Sequence, residues 1–126
     1  VKLKYTEIKQ TRERILVQQD GCCALCQHPI VDDAVLDHDH KSGKIRRVLH
    51  RGCNALLGKI ENNMPRNRIT MERLRSFSEN LISYLEEEYA DIVHPTYKTS
   101  EERKMQAKVK KAMGRGRGKG KKPPKR

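Results

Sequence analysis

The chain predicts an α+β fold that is small and mostly helical, with one β-hairpin near its middle. Two extended runs, Val35 to His40 and Ile45 to Leu49, flank a polar break at Lys41-Ser42-Gly43-Lys44. Two x₂-spaced pairs, Cys23/Cys26 and His50/Cys53, bracket those runs. Further on, Met71, Leu74, Phe77, Leu81, Ile82 and Leu85 recur at three and four residues, the period of an amphipathic helix.

In chain order, residues 5–20 read as a polar helix with a narrow apolar stripe at Ile8, Ile15 and Leu16, stopped by Gly21. Residues 22–31 form a knuckle around the first ligand pair, and the hairpin follows. A helix starts near Cys53 and Asn54 and fades by Asn62-Asn63-Met64-Pro65. The amphipathic helix runs from Thr70 to about Tyr89, long for so small a unit. Its stripe either meets a second subunit or packs on the 5–20 helix. Val93-His94-Pro95 breaks the chain, and Thr99 with Glu102 can form a capping box for a last helix over about 100–113. From Gly114 the Gly-Arg and Gly-Lys alternation cannot bury a core, which predicts a disordered basic tail.

Of the 126 residues, 35% are hydrophobic, with one Phe and no Trp, so the core must be thin. Domains this short of apolar contact commonly add a staple, and a structural metal is one of the standard kinds. The cysteines could instead pair as disulfides. Cys22 and Cys23 are adjacent, however, no signal peptide is visible, and the x₂ spacings suit Zn²⁺. Cys23, Cys26, His50 and Cys53 would supply three thiolates and one imidazole, a closed structural set. The alternative is buried free thiols beside a surface His50. Cys22 reads as a bystander and His28 as a surface residue. No apolar run reaches membrane-spanning length. The expectation is a soluble, intracellular protein with no membrane partner.

The net charge of +12 is unevenly placed. Residues 103–126 hold twelve Lys/Arg and no acid, whereas residues 1–102 hold sixteen of each sign. Attraction to a polyanion therefore arises from local patches and the tail, which points to nucleic acid.

Between the ligand pairs stands Asp37-His38-Asp39-His40. Phosphodiester hydrolysis needs a base for water and a cation for the charge developing on phosphate and leaving oxygen. Histidine suits the base role because its ordinary pKa of about 6.5 leaves it largely neutral at pH 7. Asp37, His38, His40 and Asn54 offer these groups within one hairpin and helix start. In a regular strand Asp37 and His38 would point to opposite faces. Both can serve one phosphate if the strand end is irregular or the DNA lies across its edge.

Leu36-Asp37-His38-Asp39-His40, Gly43-Lys44-Ile45-Arg46 and Cys53-Asn54 together resemble the motif of the recombination endonuclease VII family, phage Holliday-junction resolvases within the HNH (His-Me finger, ββα-metal) nucleases. Asn80-Leu81-Ile82-Ser83-Tyr84-Leu85 and Val93-His94-Pro95 resemble the helix and His-Pro turn downstream in that family. The resemblance covers roughly residues 1–100. It implies that Asp37 and Asn54 hold a catalytic Mg²⁺ or Mn²⁺, that His38 is the general base, and that His40 binds or polarises the phosphate. It implies zinc on Cys23, Cys26, His50 and Cys53, and an intertwined homodimer acting on branched DNA in the cytoplasm of an infected bacterial host. Two departures stand out. His50 replaces a cysteine usual in the family, and Leu56-Leu57 stand where a member can carry a glutamate.

DNA contacts are expected from Lys41, Lys44, Arg46, Arg47 and Arg51 beside the tetrad, and from Arg66, Arg68, Arg73 and Arg75 along a groove shared with a partner. The expected division is a nuclease domain over 1–66, a helical dimerisation and DNA-binding region over 67–113, and the tail over 114–126. Competing readings are an HNH nickase of ordinary duplex DNA and a non-catalytic zinc module that only binds DNA. A ribosomal or other RNA-binding protein would have no need of the Asp-His-Asp-His run.

Overall fold

The computed structural model describes residues 1–115, so most of the basic tail expected over 114–126 lies outside the described residues. A single 3₁₀ turn, Tyr5–Glu7, leads into α1 (Ile8–Gln18). Then come β1 (Ala34–His38), β2 (Ile45–His50), α2 (Arg51–Arg66), α3 (Met71–Glu86) and α4 (Ser100–Arg115). The architecture is the expected α+β, and the described residues form one two-stranded antiparallel sheet and four α-helices. Two compact units are distinguishable, Val1–Leu85 and a second beginning at Glu86.

Helix α1 ends where the sequence places its stop. Asp20 and Gly21 both take positive φ, 54° and 75°, and the Gly21 N–H reaches back to the Leu16 carbonyl at 3.0 Å. This wrap satisfies carbonyls that the last helical turn leaves open. The knuckle then closes on itself. A bridge joins Cys22 to Pro29, and Cys23 N–H donates to the His28 carbonyl at 2.9 Å. Gln27 sits at φ 63° and its N–H donates to Cys23, a tight turn that brings Cys23 and Cys26 together.

The hairpin turns through Gly43 at φ 72°, a conformation open to glycine at no steric cost. Gly43 N–H donates to the Asp39 carbonyl at 2.7 Å, and the Asp39 carboxylate accepts the Lys41 N–H at 2.8 Å. Both α1 and α2 pack on the two strands. Among the described residues the buried apolar set is Cys23, Val48 and Leu49, with Thr11 and Asp37 as buried polar residues. So small a core agrees with the need for a staple inferred from composition.

Helix α2 starts at Arg51, two residues before the expected Cys53, and runs to Arg66. Its first N–H, on Arg51, is accepted by the Asp33 carbonyl at 3.0 Å, so the cap comes from the far end of the hairpin. Pro65 lies within the last turn and removes one helical donor; the helix stops one residue later. Helix α3 opens on Thr70, whose hydroxyl accepts the Arg73 N–H at 3.2 Å. Among the described residues α3 packs on neither α1, α2 nor the hairpin, which removes the expected alternative of packing on the 5–20 helix. Met71, Phe77, Ile82 and Leu85 are accordingly exposed.

In the second unit the capping box forms as read from the sequence. Glu102 N–H donates to the Thr99 hydroxyl at 3.2 Å, and Thr99 N–H donates to the Glu102 carboxylate at 3.1 Å. Helix α4 continues two residues past the expected end at 113.

Candidate metal centre and active site

The two x₂ pairs converge. One ligand atom from each of Cys23, Cys26, His50 and Cys53 lies within 4.8 Å of all the others. His50 Nδ1 is 3.2 Å from Cys26 Sγ and 4.0 Å from Cys53 Sγ, near the ligand edges of a tetrahedral site with Zn–S of about 2.3 Å. The set can hold a metal ion such as Zn²⁺.

His50 is placed for this by being both the last residue of β2 and the residue that precedes α2. Its Nε2 lies 3.0 Å from the Pro29 carbonyl oxygen, so Nε2–H donates there and Nδ1 faces the sulfurs, free to ligate a metal that displaces its proton. Ligating histidines are commonly fixed by such an outer hydrogen bond.

The electrostatics of the cluster suit a cation. Burial pushes the Cys23 thiol up, but backbone hydrogen bonds at Cys26, His50 and Leu25 outweigh it and lower the pKa to about 6. His50 is raised to about 9, chiefly by its hydrogen bond with Cys23 and by Pro29. Burial and neighbouring sulfurs push Cys53 up to about 11. Crowded thiols resist losing all their protons unless a divalent cation compensates the charge.

The second constellation is organised by a break in the strand pairing. Leu36 stands opposite Val48 but His38 opposite Ile45, so Asp37 faces two residues, Arg46 and Arg47. The extra residue of that bulge is on β2, so Asp37 and His38 on β1 keep the alternation of a regular strand. Asp37 turns inward and is 6% exposed, while His38 and His40 are exposed neighbours with ring centroids 5.2 Å apart. Asp39 belongs to the turn; its carboxyl is held below the ordinary range, first by the Lys41 N–H.

A buried carboxylate demands a partner, and Asp37 has one in Arg46. The guanidinium donates to both carboxylate oxygens, Nε to Oδ2 at 2.6 Å and NH2 to Oδ1 at 3.2 Å. The same group donates to Glu61 at 2.9 and 3.3 Å. These bonds, first to Glu61 and then to Asp37, push the Arg46 pKa further above its already high value. Arg46, expected as a phosphate contact, is thus engaged with two acids.

Glu61 lies outside every motif read from the sequence. The available signal was its spacing of seven from Asn54, two helical turns that put both residues on one face of α2. An acid is therefore present on this helix, beyond the Leu56-Leu57 positions where the family pattern directs attention.

Asn54 lies in the first turn of α2, half-buried, on the helix that packs against both strands. Asp37, Asn54 and the two histidines thus come from adjoining elements. Asp37 and Asn54 offer hard oxygen donors of the kind a hard cation takes, although Arg46 already occupies both oxygens of Asp37. Lys41 and Lys44 lie in or beside the hairpin loop, Arg47 at the bulge and Arg51 at the helix start. Arg66 is twelve residues beyond Asn54, about 18 Å along the axis, and Arg68 follows at φ 54° beyond the helix end, so neither joins the tetrad.

A family model described as recombination endonuclease VII matches residues 1–87. The match takes in the knuckle, the hairpin, α2 and α3, every element that positions these ligands. With the zinc-type ligand set closed and the Asp-His hairpin lying against α2, the chain belongs to the recombination endonuclease VII family of nucleases.

Proposed function

We propose that the protein is a metal-dependent endodeoxyribonuclease of the HNH type that cleaves phosphodiester bonds in branched DNA, as a Holliday-junction resolvase. The observation that carries this reading is the hairpin packed on α2, which sets the strand end bearing Asp37 and His38 against a helix whose first turn bears Asn54. Asp37 and His38 leave the strand on opposite faces, so in this reading the DNA backbone lies across the strand edge to meet both.

In this reading Cys23, Cys26, His50 and Cys53 hold one structural zinc per chain. Asp37 and Asn54 hold Mg²⁺ or Mn²⁺, which when bound supplies charge stabilisation at the scissile phosphate and the leaving oxygen. His38, exposed at the strand end, takes the proton from the attacking water. His40, in the turn just beyond the strand end, orients the phosphate. Lys41, Lys44, Arg47 and Arg51 hold flanking phosphates, and Arg66 and Arg68 hold DNA farther out.

The exposed stripe of α3 supports a homodimer, with Phe77, Ile82 and Leu85 facing a partner. Two such subunits can address opposing strands of a junction. The division into a nuclease module over 1–66, a dimerisation and DNA-binding region over 67–113 and a tail over 114–126 follows from it. The setting is the cytoplasm of an infected bacterial host.

The test is cleavage of a four-way junction against a linear duplex in Mg²⁺, with wild type, His38→Ala and Asn54→Asp. His38→Ala is expected to slow cleavage by roughly 10²- to 10⁴-fold, the usual weight of a general base. Asn54→Asp keeps an oxygen ligand but adds a negative charge facing the phosphate, and should slow cleavage too. Equal cutting of both substrates would favour a duplex nickase. Unchanged cleavage by His38→Ala would remove the base assignment.

A further inference from the structure

Arg46 stands on the carboxylate that the proposed function gives to the catalytic cation. The guanidinium takes both oxygens of Asp37, whose side chain is 7% exposed, while reaching Glu61, whose side chain is 30% exposed. A fixed positive charge in that position competes with a divalent cation in two ways. It occupies the lone pairs a cation would use, and it repels the incoming charge.

The second acceptor changes the balance. Glu61 is held by the same guanidinium from the next helix, so Arg46 can leave Asp37 and remain paired. A DNA phosphate is a third acceptor of the same bidentate geometry.

Resting on the assignment of Asp37 as a cation ligand, we propose that Arg46 is a built-in counter-cation of Asp37 that parks on Glu61 when a divalent cation binds. Arg46 keeps the DNA-free site weak for metal, and phosphate arriving beside the hairpin draws the guanidinium away. Cation uptake is thereby tied to the presence of DNA. Arg46 and Glu61 act through Asp37 and are positioning residues.

The test reads Mn²⁺ binding by electron paramagnetic resonance on the zinc-loaded full chain, with far-UV circular dichroism and zinc content as checks on folding. Asp37→Asn must abolish the site; Mn²⁺ binding unaffected by that change would sink the ligand assignment itself. With the assignment intact, Arg46→Met is expected to tighten Mn²⁺ by about tenfold or more, a change of one decade per 1.36 kcal/mol. Unchanged or weaker binding by Arg46→Met overturns the counter-cation role.

Glu61→Gln should weaken Mn²⁺ several-fold, and the Arg46→Met/Glu61→Gln double variant should match Arg46→Met alone. If Glu61→Gln weakens binding equally in both backgrounds, Glu61 is a ligand and the parking role is wrong. Should Arg46→Met fold poorly, Arg46→Lys keeps the charge but loses the bidentate fork, and is expected to tighten Mn²⁺ to a lesser degree. Binding by Arg46→Lys no tighter than wild type contradicts the proposal. A non-cleavable phosphorothioate junction should tighten Mn²⁺ for wild type more than for Arg46→Met; an equal effect removes the link to DNA.

Discussion

The side-chain amide of Gln19 pairs with the main chain of Val48 in both directions. Gln19 Oε1 accepts the Val48 N–H at 2.9 Å, and Gln19 Nε2 donates to the Val48 carbonyl at 2.9 Å. The same Nε2 also donates to the Cys22 carbonyl at 2.8 Å. One residue past the end of α1 thus substitutes for a third strand at the outer edge of β2 and ties the knuckle to the hairpin.

Val48 is fully buried; its carbonyl keeps the Ala24 N–H at 3.2 Å, but its own N–H would lose the acceptor that Gln19 supplies. Gln19→Ala is expected to lower stability by about 1–3 kcal/mol, the usual cost of stranding buried polar groups. Urea unfolding with zinc held constant measures it, and an unshifted midpoint would show that the bonds contribute nothing net.

Metal removal should act on folding before it acts on chemistry. The ligands join the knuckle, the end of β2 and the start of α2, beside the small core of Cys23, Val48 and Leu49. Chelation of zinc, or Cys26→Ala, is expected to abolish the cooperative unfolding transition, because metal binding in such modules is folding energy. His50→Cys should keep one zinc per chain, since it exchanges one ligand of the structural set for another. Zinc content by atomic absorption and thermal unfolding check both. A zinc-free Cys26→Ala that unfolds like wild type would contradict the staple.

The hairpin turn carries a pH signature of definite sign. The Asp39 pKa is lowered below its ordinary 3.8, mainly by the Lys41 N–H, so the folded state favours the carboxylate. A depressed folded value means the stabilisation is complete above the ordinary carboxylate range and is lost as pH falls through the lowered value. Carbon-detected NMR titration should place Asp39 below 3.8, with the Lys41 amide shifting in step. Titration at or above the ordinary value would rule out the turn hydrogen bond.

Removal of residues 114–126 takes away seven Lys/Arg with almost no capacity for base stacking. The expected result is weaker DNA binding, with the salt-dependence slope reduced by up to about six if every one of these charges meets a phosphate. Metal-dependent cleavage at saturating DNA should persist. Loss of zinc or of folding on this truncation would place the tail within the folded unit instead.

Much of the site was legible in the sequence because its residues are close in the chain. An x₂ spacing brings two ligands to one ion, and Asp37, His38 and His40 share one strand end. The Gly43 turn and the Thr99/Glu102 cap were readable for the same reason: each is a local geometry that few residue types satisfy. The zinc-type cluster required two distant pairs to meet, yet its ligand chemistry left few other arrangements.

Contacts between elements were not legible. Whether α3 would lie on α1 depended on competing apolar faces, and periodicity alone does not choose a partner for a stripe. The bulge that sets Asp37 opposite both Arg46 and Arg47 is a matter of register, decided by how the strands, α1 and α2 pack together. Arg46 reads in sequence as one more surface cation. Only the fold brings the buried Asp37 carboxylate and Glu61, fifteen residues from Arg46, into reach of one guanidinium. Local chemistry thus determined which groups the site contains, and packing decided which charge each of them faces, because a buried charge must be neutralised by whatever the neighbouring element presents.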